Sequence, residues 1–177
     1  LNRRHRPGRA YELIHLQWQI TTDYGIFRDL QRHRIVDAML WQDLSPRLGY
    51  IVTELITETN NQELFDETFD LSFKLYNYLK DNGHTDICQY ATLLGHRMRF
   101  TFTENLREAF HMHELRTTPQ GHPGYRKVVN EMQQELEKIL PTIAKQMKFI
   151  NKDEDPELTR MAAELAKQLK LDKMEDK

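Results

Sequence analysis

Hydrophobic and polar positions change period several times along this chain, and each change marks an element. Leu16, Trp18 and Ile20 alternate with Gln17, Gln19 and Thr21. A period of two turns one side of an extended segment toward a core and the other toward water, so Leu13 to Thr21 reads as a half-buried strand. Asp23 then occupies an N-cap position. Ile26, Phe27 and Leu30 follow at helical spacing, which predicts a helix to about Arg34. Asp37 to Tyr50 is interrupted by Ser45-Pro46 and Gly49 and reads as a loop holding a short extended or helical piece. From Thr57 the pattern is helical: Leu64, Phe65, Phe69, Phe73, Tyr76 and Leu79 form a broad apolar face, and Asn82-Gly83 stops the helix. A short helix from Thr85 to Leu94 is expected next, ended by Gly95. Met98, Phe100 and Phe102 against Arg97, Arg99 and Thr101 give a second strand. A helix starting at Thr103 or Glu104 carries Leu106, Phe110 and Leu115, and Pro119, Gly121, Pro123 and Gly124 make a loop. Tyr125 to Met147 reads as a long helix that tolerates Pro141 only with a kink or a break. Asp155-Pro156 opens a charged amphipathic helix to about Leu171, with Met161, Leu165, Leu169 and Leu171 as its stripe. The sum is a helix-rich chain with a small sheet, either α+β or loosely layered α/β.

Length and composition narrow the setting. The 177 residues suggest one domain, with 1–150 as its body and 151–177 as a charged helix or tail. No stretch approaches the roughly 18 apolar residues of a membrane span. The N-terminus has no apolar h-region, so no secretory signal is read. Cys88 is the single cysteine, which rules out an internal disulfide and a multi-cysteine metal site and suits a reducing, cytoplasmic setting. The net charge of -2 argues against a nucleic-acid module, although basic residues and Tyr11, Trp18 and Tyr24 share the N-terminal part. Arg3, Arg4, Arg6 and Arg9 crowd the first nine residues, and Arg28, Arg32 and Arg34 follow. They form either a solvated leader or a set of planar forks for phosphate oxygens.

Two clusters carry candidate chemistry. Arg32-His33-Arg34 would fan around a helix end at about 100° per residue. A helix C-terminus also attracts cations through its dipole, so the tripeptide alone leaves both readings open. Asn105 and Arg116 lie three helical turns apart, with Ala109 and Met112 between them on one face. That polar line, softened in its middle, suits a flat aromatic ligand or an ordinary surface helix capped by Arg116. Glu108 and His111 form one Glu-x-x-His pair, but a di-iron bundle needs two such pairs and two further glutamates.

These motifs, in this order, resemble the flavin-dependent thymidylate synthases. That family has an Arg-His-Arg at a helix end. After a strand comes a helix of the form Asn-x-Arg-x-x-x-(Asn/His)-x-x-x-Leu-Arg. The chain offers Arg32-His33-Arg34, then Asn105-Leu106-Arg107, His111 and Leu115-Arg116. His5-Arg6-Pro7 and Glu12 are similar to the family's residues ahead of the first strand. The resemblance covers roughly Arg4 to Glu137. It implies a helix-rich α+β fold with a small antiparallel sheet and the reductive methylation of dUMP to dTMP. Methylenetetrahydrofolate would supply the carbon, and FAD reduced by NADPH the hydride, without a protein nucleophile. Arg32, His33, Arg34, Asn105, Arg107 and His111 would contact FAD. Arg116, with Asp29, Ser45 and Arg47, would lie on the dUMP side.

Departures concentrate on that side. After Arg-His-Arg the family has x-x-Ser-x-Asn-Glu-x-Ser-x-Arg-Tyr, and Asp37, Met39, Leu40, Gln42, Leu44 and Ser45 stand at those positions without a match. A three-residue insertion brings Ser45 and Arg47 onto the second Ser and the Arg but restores no Glu. Asp29 replaces a frequent Gln, Gln89 an Arg, and Gln120-Gly121-His122 a His-x-Gln. The flavin half is therefore expected to be better kept than the nucleotide half. An alternative expectation is a catalytically divergent homologue that completes the pocket of a partner. The resemblance also implies sites shared in a tetramer or with a paired homologous domain. The chain begins almost at the first motif, so a fragment or one half of a duplicated protein is expected.

Overall fold

The computed structural model of the chain describes residues 5–153 and 160–175. The chain forms two compact units, His15–Glu104 and a second made of Leu1–Ile14 with Asn105–Lys177.

In the first unit, β1 (His15–Asp23) runs directly into α1 (Tyr24–Gln31). Asp23 makes that switch: its carboxylate accepts the Ile26 N–H at 2.7 Å, satisfying a donor that the first helical turn leaves open. Ile26, Phe27 and Leu30 are buried, as their spacing requires. The helix ends three residues before Arg34, so the expected fan of Arg32, His33 and Arg34 on a helix end does not form. Arg32 is the C-cap, and the next two residues continue into the loop. β2 (Ala38–Trp41) follows within the expected loop segment, and Pro46–Leu48 forms a 3-10 turn. α2 (Glu54–Glu58) and α3 (Gln62–Asp81) precede a 3-10 turn at Cys88–Ala91, where a longer helix was expected. β3 (Arg97–Asn105) lies in the middle of the sheet, whose order is β1-β3-β2. β2 pairs antiparallel to β3 with Ala38 opposite Thr103 and Trp41 opposite Phe100. Met98, Phe100 and Phe102 are buried, and Phe27 meets Phe100 at 4.8 Å between ring centroids. A second aromatic group stacks Tyr50 on Phe69 at 4.2 Å and Phe69 beside His96 at 4.6 Å.

In the second unit a 3-10 turn at Arg9–Leu13 packs against α4 (Leu106–Arg116), which also packs against α5 (Pro123–Ile139). Pro141 does break the long helix: α5 stops at Ile139, and the separate α6 (Pro141–Ala144) starts on the proline. Buried His113 on α4 bonds Gln133 on α5 at 2.8 Å. Arg126 is buried and donates to the Thr117 carbonyl, the Asn151 side chain and the Asp153 carbonyl, which ties the segment after α6 to α5. α7 (Arg160–Glu175) is the last helix. The sequence-based start at Asp155-Pro156 lies outside the described residues. No helix among them is long and apolar enough to cross a membrane.

Candidate functional site

Asn105 is the residue on which strand becomes helix. Its Oδ1 accepts the Glu108 N–H at 3.0 Å, so it is the N-cap of α4 rather than a member of the helix face. The amide nitrogen is a side-chain donor that can address a ligand. Leu106, Ala109 and Met112 are fully buried and hold α4 in place.

Arg107 and His111, one turn apart, stand on the rim side of α4 and line a cavity of about 630 Å³. His5, Arg6 and Pro7 form another wall, Phe110, Glu114 and Leu115 continue the helix wall, and Gln146, Lys148 and Phe149 close it from the segment after α6. Arg107 fixes the geometry. Its Nε donates to the Pro7 carbonyl at 3.1 Å and its terminal nitrogen to Glu12 at 2.6 Å. The bonds from Arg9 and Arg107 hold the Glu12 carboxyl below the usual carboxylate range. His111 Nδ1 lies 3.0 Å from Glu108 Oε1, an ordinary i, i+3 hydrogen bond on the helix. Tyr11 meets the Phe110 ring edge-on at 5.7 Å. Arg6, Arg107 and Lys148 thus line the cavity, with Glu114 as the one carboxylate among the described residues of its wall, and Phe110, Leu115 and Phe149 supply apolar surface. Such a chamber suits an anionic ligand with an aromatic part. Arg3 and Arg4 lie outside the described residues, and Arg9 is occupied by Glu12.

Arg116 sits elsewhere on the helix. Its guanidinium lies over the Tyr125 ring at 5.6 Å, and its Nε is buried with no hydrogen-bond partner among the described residues. A buried N–H of this kind is a group that an incoming acceptor can satisfy.

The other motif residues belong to the first unit. Arg32 bonds Asp29 at 2.9 Å on the surface, His33 is buried with its N–H on the Leu30 carbonyl, and Arg34 is exposed. Ser45 Oγ accepts the Arg47 N–H at 3.3 Å and caps the Pro46–Leu48 turn, leaving the Arg47 side chain in solvent. Asp29 and Ser45 are therefore engaged in local structure. Sequence reading missed Gln146, Lys148 and Phe149. They follow a broken helix and carry no motif, so no local pattern marks them.

The chain belongs to the thymidylate synthase complementing protein family, whose model matches residues 2–142. It is 34% identical over 170 residues to a UPF0159 protein of Thermoplasma acidophilum, covering 96% of this chain and 34% of the relative. It is also 32% identical over 153 residues to a UPF0159 protein of Chlamydia muridarum, covering 86% and 28%. The chain thus spans about a third of the length of the curated relatives it matches. Among solved structures, the UMP/dUMP methylase PolB from Streptomyces cacaoi bound with 5-Br dUMP aligns with a TM-score of 0.64 at 17% identity. That alignment covers 77% of this chain and 72% of PolB. The same protein bound with 5-Br UMP aligns at 0.63 and 14% identity, over 77% and 75%. At these identities the likeness establishes a shared fold.

Proposed function

We propose that the chain is part of a flavin-dependent thymidylate synthase-like protein that methylates dUMP to dTMP, with methylenetetrahydrofolate, FAD and NADPH. The observation that carries this reading is the family match together with Arg107 and His111, the motif positions of α4, on one cation-lined cavity. The residues present fit FAD. Arg6, Arg107 and Lys148 suit the oxygens of a diphosphate, and Phe110, Leu115 and Phe149 suit flat rings. When bound, reduced flavin supplies the hydride; the chain's own residues bind, orient and exclude water.

Arg107 organises that wall by holding Pro7 and Glu12, so His5 and Arg6 stay at the cavity. Asn105 can contribute its amide N–H groups while its oxygen caps α4. Arg32, His33 and Arg34 are proposed flavin contacts by their motif alone. Arg116 is proposed for the nucleotide, where its buried Nε–H would find an acceptor. Arg47 is the other nucleotide-side candidate with a solvent-facing side chain, while Asp29 and Ser45 are held locally.

A second reading rests on the segment Asp37 to Tyr50, which lacks the family's Glu. On that reading the chain binds flavin or nucleotide but completes the site of a homologous partner. A tritium-release assay on dUMP in the presence of the folate, FAD and NADPH separates the two. Release dependent on all three supports the enzyme; flavin binding without release supports the divergent homologue.

A further inference from the structure

Arg126 breaks two local rules at once. It lies near the N-terminus of α5, where the helix dipole disfavours a cation, and it is only 3% exposed, so its guanidinium has left water. Its bonds offset that cost. Nε donates to the Thr117 carbonyl at 3.3 Å, at the C-cap of α4, where that helix's dipole does favour a cation. A terminal nitrogen donates to the Asp153 carbonyl at 2.6 Å and to Asn151 Oδ1 at 3.4 Å. One planar fork thus joins the end of α4, the start of α5 and the segment that follows α6.

That segment carries one wall of the cavity, Lys148 and Phe149. Met147, 4% exposed, anchors one end of it. The other end is the clasp around Arg126. There the Asn151 N–H donates to Thr117 Oγ1 at 3.2 Å, and Lys152 pairs with Glu137 of α5 at 2.8 Å. Between the anchors, the Phe149 N–H reaches Glu114 Oε1 at 3.4 Å. Three residues, 148 to 150, separate Met147 from Asn151. A span so short, at about 3.5 Å per residue, holds its side chains in one place while both ends are fixed. It loses that place when one end is released. All these residues belong to the second unit.

We infer that Arg126 is a positioning residue for the cavity: it fixes where Lys148 and Phe149 stand by clasping the segment behind them. FAD as the ligand rests on the functional reading above; the clasp does not.

Hydrogen exchange by mass spectrometry, run beside a fluorescence titration with FAD, tests it. Arg126→Gln should speed exchange across 149–151 about tenfold and weaken FAD binding about tenfold, since bonds of a charged donor are lost. Circular dichroism checks that the helices remain. Should that variant fail to fold, Asn151→Ala carries the same expectation in direction, because it removes a clasp acceptor from a partly exposed residue. Lys148→Ala should weaken FAD binding and leave that exchange unchanged. In the Lys148→Ala background, Arg126→Gln should cost clearly less than tenfold in FAD affinity, because both changes act on one wall. An Arg126 that only stabilises the fold would cost the same in either background. A wild-type chain that leaves FAD unbound removes the flavin reading, and the exchange comparison then decides the inference by itself. Unchanged exchange across 149–151 in the folded variants, or an undiminished loss in the Lys148→Ala background, would overturn it.

Discussion

Arg107 makes two bonds from two different nitrogens, and that division gives it a sharp prediction. Lysine keeps the charge but cannot reach Pro7 and Glu12 together. Arg107→Lys should therefore weaken FAD binding on the order of tenfold, as measured by flavin fluorescence titration, since hydrogen bonds of charged groups contribute about 1.5 to 3 kcal/mol. Arg116→Ala should weaken dUMP binding more than FAD binding in parallel calorimetric titrations; an equal loss would remove its assignment to the nucleotide. His96 supplies a pH test. It is buried, its Nδ1 accepts the Leu93 N–H at 2.9 Å, and desolvation lowers its pKa below the ordinary value near 6.5. The unfolded chain then binds the proton first as pH falls. The stability this group contributes is complete above about pH 6.5 and is lost as pH drops from there toward the folded value. Denaturant midpoints measured from pH 8 to 5 should show this decline, and His96→Gln should flatten it. At this scale the family resemblance singled out Arg107 and His111, and both line the cavity. Lys148 and Phe149 carry no such motif and reach the cavity from the turns after α6.

Elements were legible where side-chain period and caps agree. β1, α1 and β3 follow their alternation and the Asp23 cap, and the Pro141 break lies where the ring forbids a continuous helix. Four departures are local. Asn105 captures the Glu108 N–H, so α4 begins at Leu106 and the polar line from Asn105 to Arg116 loses its first member. Asn105→Ala should cost about 1 kcal/mol in thermal unfolding, the usual worth of an N-cap. The residues after Gln31 leave the helix, so His33 and Arg34 lie beyond its C-cap and not on its last turn. On α3, the apolar pattern groups Leu64 and Phe73 with the buried face, yet their positions on the helix wheel turn them outward. Gly95 reads in the sequence as a helix stop, and the structure gives it a packing role. A Cβ there would lie 2.8 Å from the Phe69 ring. Gly95→Ala should destabilise the first unit by about 1 to 3 kcal/mol, measured by chemical denaturation.

For the whole molecule, family membership and the helix-rich α+β fold with a small antiparallel sheet are established, and the chemistry is proposed. Two motifs sufficed for the family because each lies beside an element whose period is unambiguous. Substrate identity was not legible, because Asp37 to Tyr50 departs from the pattern and folds into a short edge strand and a turn of its own. The chain's span of about a third of its relatives makes assembly part of the question. The most direct measurement is a visible absorbance titration of the purified chain with FAD, run beside Arg107→Ala. A saturable, protein-induced change in the flavin band, weakened in the variant, is the expected result. A chain that is colourless as purified and leaves the spectrum of added FAD unchanged would contradict it.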